Sequence, residues 1–211
     1  MKKFLHSLWI LACILCIVFY TPEAAHSNQD VAPTRKTGSP GDGGSTCTSY
    51  HGGNPSPGIS DVFIISSTNA PLEYNSGEVY SFSADLSGGG GLAIFGFELV
   101  VEDEFGNSIG EIILTNPVTT QLIDGGNYIT HTTVGSSGLI STPDVSGVFM
   151  NWGFDWQAPT DFEGAVTFYA AGNISNGNEG TGGDVIMTNS LSLEVVSSSS
   201  SSSSSDAPGC T

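Results

Sequence analysis

Val79-Tyr80-Ser81-Phe82-Ser83-Ala84-Asp85-Leu86 is the stretch that decides the fold class. In an extended chain Tyr80, Phe82, Ala84 and Leu86 fall on one side and Val79, Ser81, Ser83 and Asp85 on the other. That period of two describes a strand with one buried and one wet face. The same texture extends in both directions, as short apolar runs separated by Gly, Asn, Asp and Pro. A strand is expected over 62–65, and Phe95, Phe97, Leu99 and Val101 alternate in a third. Glu104-Phe105-Gly106-Asn107 is read as a turn that closes a hairpin with 109–114, using the positive φ open to glycine. Further strands are expected over 127–133, 152–156, 166–170 and 185–196, and 88–91 reads as a glycine loop. Trp152, Phe154 and Trp156 alternate strictly, so they are assigned to the core in preference to an exposed sugar-stacking platform. About eight strands and no helical stripe predict an all-β antiparallel β-sandwich.

The strand-bearing region, 59–196, has 138 residues, enough for one core that buries roughly two thirds of its unfolded surface. Residues 1–27 have a basic start, an apolar run from Leu8 to Tyr20 and a small-residue exit at Ala25-His26-Ser27. This is the pattern of a secretory signal peptide, because about 20 apolar residues would be wanted for a membrane span. Residues 28–58 are rich in Pro and Gly without apolar period and are read as an extended N-terminal arm. Nine serines, 197–205, lead to a short tail ending Gly209-Cys210-Thr211, a flexible spacer suited to attachment at the cell envelope.

The chain of 211 residues carries a formal net charge of −17. Removing 1–27 takes away Lys2 and Lys3 but only Glu23, which leaves 20 acids against Arg35 and Lys36, a net −18. Such a surface repels nucleic acid and anionic membranes, favours solubility and divalent cations, and suits a salty exterior that screens the self-repulsion. Cys13 and Cys16 lie in the signal, so Cys47 and Cys210 remain for the exported protein and make no disulfide framework.

Cys47-Thr48-Ser49-Tyr50-His51 is a c-type haem attachment motif, Cys-x-x-Cys-His, with Tyr50 in place of its second cysteine. Cys47 would be the one remaining tether and His51 an axial ligand, with His131 as the second and Met150 or Met187 in reserve. The same His51, His131 and Cys47 are acceptable donors to zinc or copper. The alternative is that the segment packs on the sandwich, with Tyr50 filling the space beside it and its hydroxyl in water. Asn173, Asn176, Glu179 and Asp184 sit in one glycine-rich loop and offer oxygens to calcium, although the same residues are what turns are made of. No G-x-S-x-G elbow or H-E-x-x-H helix is present, and the carboxylates fall on strand faces predicted to be wet. No catalytic constellation is therefore expected.

Several segments taken together, Thr37-Gly38-Ser39-Pro40-Gly41-Asp42, Cys47 to Gly53, Tyr128-Ile129-Thr130-His131-Thr132, Trp156-Gln157-Ala158-Pro159 and 166–173 running on to Asn176-Gly177 and Asp184, resemble the Reeler (reelin N-terminal-like) domain. The likeness covers about 34–196 and is greater to the bacterial choice-of-anchor surface proteins. It implies an immunoglobulin-like sandwich, export and surface attachment, and no established catalysis. In those bacterial relatives the cysteine segment usually reads Cys-x-x-Cys-His, from which Tyr50 departs. The expected function is an exported, non-enzymatic cell-surface module for adhesion or matrix binding, with a polysaccharide or protein partner. The alternative is a haem-binding extracellular electron-transfer protein.

Overall fold

The structure is a computed structural model, and it describes residues 29–52, 62–67, 72–88, 94–137, 148–178 and 180–196. Residues 1–27, read from the sequence as a signal peptide, the serine tract, Cys210, Glu179 and residues 89–91 of the glycine loop lie outside the described residues. Among the described residues ten strands run in chain order: β1 Val62–Ser67, β2 Glu73–Tyr74, β3 Val79–Gly88, β4 Ile94–Asp103, β5 Glu111–Leu114, β6 Thr120–Ile123, β7 Tyr128–His131, β8 Val148–Gln157, β9 Val166–Ser175 and β10 Val185–Val195. They form a four-stranded sheet in the order β1-β3-β8-β5 and a six-stranded sheet in the order β2-β10-β9-β4-β7-β6. Every pairing is antiparallel except the two-residue contact of β2 with β10, which is parallel. The all-β sandwich expected from the alternation is what the chain forms. It has two strands beyond the eight expected, because β2 and β6 are too short to show a period.

The inner faces meet in one core. Tyr80, Phe82, Ala84 and Leu86 of β3, with Trp152, Phe154 and Trp156 of β8, pack against Phe97, Leu99, Phe168 and Ala170. Phe97 stacks on Trp152 at 4.3 Å, and Trp156 meets Phe168 edge-on at 5.4 Å. Such aromatic pairs add about 0.5–1.5 kcal/mol beyond the area they bury. Both indoles satisfy their N–H: Trp152 donates to the Gly135 carbonyl at 2.8 Å and Trp156 to the Ile109 carbonyl at 3.1 Å.

The hairpin expected between 95–101 and 109–114 does not form. The turn is present, with an isolated bridge between Glu102 and Ser108. Beyond it, however, the chain leaves the six-stranded sheet, and β5 pairs with β8 in the other one. The crossing occurs because Ile109 and Ile112 then reach the core from the opposite layer.

Residues 29–52 form a third layer. They cover the outer face of the six-stranded sheet, where β4 presents Gly96, Glu98, Val100 and Glu102 on the side away from the core. Cys47 packs on Ala171 and Ile186 in a small apolar cluster there.

Candidate binding sites on the six-stranded sheet

Buried carboxylates hold the lead segment on the sheet. Glu98 is 0% exposed and accepts from the backbone N–H groups of Arg35 at 3.0 Å and Lys36 at 2.6 Å. Glu102, 1% exposed, accepts from the Ser39 hydroxyl at 2.6 Å and the Gly41 N–H at 3.0 Å. Asp42 accepts from the Thr37 N–H and hydroxyl through one oxygen and from the Tyr128 hydroxyl, at 2.6 Å, through the other. Backbone N–H groups are strong donors to a carboxylate, so a segment without periodic structure is fixed by side chains of the sheet below it. Burial pushes the Glu98 carboxyl up to about 7, against the opposing pull of the Lys36 and Arg35 amides. The Tyr128 phenol is also raised, by burial first and then by the hydrogen bond and negative charge of Asp42. From the sequence Glu98 and Glu102 lie on a strand face that reads as wet.

Past Asp42 the segment makes one tight 3-10 turn, Cys47–Ser49, capped by the Thr46 hydroxyl. The Tyr50 and His51 N–H groups both donate to the Cys47 carbonyl, at 3.0 and 2.9 Å. His51 Nδ1 lies 2.7 Å from Asp184 Oδ2, and the Asp184 side chain is 0% exposed. The other Asp184 oxygen accepts from the Asn176 N–H at 3.0 Å. Because a carboxylate only accepts, the neutral imidazole carries its proton on Nδ1 and presents Nε2 as an acceptor. Asn173 Nδ2 stands 3.4 Å from it.

Cys47, His51 and His131 line a single cavity of about 160 Å3 between the lead segment and the sheet. Ala32, Pro33, Tyr50 and Ile94 supply apolar wall, and Asn173 a polar corner. His131 is buried and receives the Phe97 N–H on Nδ1 at 3.1 Å. Its ring lies over Gly96, where an added Cβ would stand 2.9 Å from Cε1, so the absence of a side chain on Gly96 makes room for the imidazole. The sequence thus brought together residues that the tertiary structure does place around one cavity. They do not fit haem: the space is well below the roughly 300–1,000 Å3 of pockets that enclose larger organic ligands. The Cys47 thiol is pushed up to about 12, by burial first and then by the charge of Glu98, so it is a neutral thiol in the metal-free chain. Tyr50, 43% exposed, meets the His51 ring edge-on at 5.7 Å. Met150 and Met187 belong to the inter-sheet core.

Among the described residues no group of three His, Cys, Asp or Glu is placed to hold a metal ion. Of the residues expected to bind calcium, Asp184 is occupied by His51 and the Asn176 amide. Asn176 donates to the Gly182 carbonyl and accepts from the Asn178 N–H, which is turn chemistry. Asn173 faces the cavity instead.

A second, polar groove of about 500 Å3 runs along β9 and β10 beside the lead segment. Thr46, Tyr169, Thr188 and Ser190 line it with hydroxyl groups, and none of its described lining residues is charged. Nothing in the alternation of β9 or β10 marks this groove, since it needs the lead segment as its far wall.

No family model and no curated protein matches the chain. Among solved structures it is similar to the human F-spondin reeler domain, at 18% identity and a TM-score of 0.43, over 68% of this chain and 96% of that one. It is similar to a structure of the Reelin-N domain of F-spondin at 18% identity and a TM-score of 0.43, over 70% and 95% of the two chains. A cohesin module from a Clostridium perfringens family 33 glycoside hydrolase aligns at 12% identity and a TM-score of 0.38, over 64% of this chain and 98% of that one. The first two are structures of the domain that the sequence motifs resemble. Likeness at this level carries no function to this chain.

Proposed function

We propose that the protein is an exported, non-enzymatic cell-surface module that binds a neutral polysaccharide along the groove between the lead segment and β9–β10. The observation that carries this reading is the lining itself: hydroxyl groups of Thr46, Thr188 and Ser190 beside the half-buried phenol ring of Tyr169, with no charged side chain. A sugar ring offers an apolar face to an aromatic ring and an equatorial belt of hydroxyls to polar neighbours. The groove's volume of about 500 Å3 falls within the usual range for ligand sites of roughly 300–1,000 Å3. The chain's net charge of −17 disfavours an anionic polymer, so a neutral one is the better partner. Export is supported by the basic, apolar and small-residue order of 1–27.

Affinity electrophoresis of the full exported chain through gels containing a neutral glucan, a neutral mannan or a polyuronate tests this. Retardation is expected with a neutral polymer and not with the polyuronate. Tyr169→Ala is expected to weaken it about tenfold, the worth of one lost aromatic contact of about 1.4 kcal/mol. Free passage through both neutral gels, or retardation unchanged by Tyr169→Ala, would sink the reading.

A further inference from the structure

The cavity under Cys47 and His51 is separate from the groove and has a different chemistry. It holds about 160 Å3, its exposed lining is mostly apolar, and it is partly closed by the lead segment. A cavity of roughly 150 Å3 with apolar walls is large enough to take benzene. Space and wall therefore suit one ring.

The polar corner narrows the choice. Asn173 Oδ1 is buried without a hydrogen-bond partner, a state that costs about 1–3 kcal/mol where it persists. The same side chain's Nδ2 faces His51 Nε2 at 3.4 Å, so the imidazole nitrogen already has a donor and Asn173 Oδ1 is the open acceptor. The His51–Asp184 pair also fixes the ring in place, since the aspartate is itself held by the Asn176 amide. A buried acceptor left open calls for a ligand that donates. A carboxylate would bring further acceptors and another negative charge into a chain that is already strongly negative, with Lys36 the one lysine among the described lining residues to oppose that.

We propose that this cavity is a binding site for a small neutral aromatic ligand carrying one hydroxyl or N–H donor, with the ring against Ile94, Ala32 and Pro33 and the donor directed at Asn173 Oδ1. The class includes simple phenols. The lead segment forms one wall, so the site exists only while Glu98, Glu102 and Asp42 hold that segment on the sheet.

Phenol, benzene and benzoate, titrated separately into the full chain and followed by amide chemical shifts, distinguish the alternatives. Phenol is expected to bind at least about tenfold more tightly than either of the others, the equivalent of one added hydrogen bond, with shifts centred on Gly96, Asn173 and His51. Asn173→Leu is expected to shrink the advantage of phenol over benzene severalfold while benzene binding persists. Ala32→Trp is expected to abolish both. Should that variant fail to fold, the location of the shifts in the unaltered chain decides the matter. Equal binding of phenol and benzene, a preference for benzoate, or shifts centred away from these three residues would overturn the proposal. None of these results touches polysaccharide binding at the groove, so the two readings stand or fall apart.

Discussion

Glu98 combines a favourable geometry with an unfavourable medium. Two backbone donors, at 3.0 and 2.6 Å, favour its carboxylate, and full burial opposes that charge strongly enough to leave the carboxyl near 7, against 4.5 ordinarily. The sign follows from which state holds the proton. Between pH 4.5 and 7 the unfolded chain has released it while the folded chain keeps it, so the contribution of this group to stability is complete at the acid end and declines towards neutrality. Each unit crossed costs about 1.4 kcal/mol. The melting temperature is expected to fall as pH rises through this interval, and Glu98→Gln, which cannot titrate, is expected to flatten the fall. Scanning calorimetry of both proteins checks it, and parallel pH profiles would show that another group is responsible. The same clamp holds Arg35 in the left-handed region at φ 67°, with its guanidinium on the Gly41 carbonyl at 2.6 Å. A non-glycine residue persists there only where its surroundings over-determine it. The cysteine segment shows what could be read at this scale. Cys47 and His51 lie four positions apart and announce a shared site, but the thiol's neutrality depends on Ala171 and Ile186, which are more than 120 residues away in the chain.

At the scale of the element, alternation identified β3, β4, β8 and β9 because each of them has one face in the core. It could not say which strands pair. Asp103 accepts from the Phe105 and Asn107 N–H groups at 2.9 Å, so the turn after β4 is local and legible. The destination of the chain after that turn is decided by Gly110. Its φ is +73°, and an added Cβ would stand 2.2 Å from the Trp156 indole nitrogen. Gly110→Ala therefore combines left-handed strain with a clash against a buried ring, and is expected to destabilise by about 2–4 kcal/mol. Chemical denaturation measures this directly; a loss below about 0.5 kcal/mol, the range of ordinary surface changes, would mean that the crossing tolerates a side chain. The outer face of β4 was misread for a related reason. Gly96, Glu98, Val100 and Glu102 have the polar character of a wet face, but three of them are covered by a segment with no periodicity.

For the molecule as a whole, the third layer is the feature that creates both candidate sites, because the groove and the cavity each take one wall from residues 29–52. If the layer is fixed as the hydrogen bonds indicate, the amides of Arg35, Lys36 and Gly41 are expected to exchange with solvent at rates near those of the core strands, far slower than a loose arm. Hydrogen exchange read by NMR tests this, and Glu98→Gln combined with Glu102→Gln should accelerate those amides selectively. Fast exchange in the unaltered chain would show that the clamp does not hold in solution. The sequence by itself determined the class of fold and its core, because a strand's two faces differ in polarity every second residue and that difference is written locally. It also grouped Cys47, His51 and His131 as partners. What only the tertiary structure decided is which sheet each strand joins, that a proline- and glycine-rich lead is a packed layer, and that this layer and the sheet enclose a cavity of about 160 Å3. Those outcomes depend on contacts between residues tens to more than a hundred positions apart, such as Glu98 with Lys36 and His51 with Asp184, and a local pattern carries no record of distant partners.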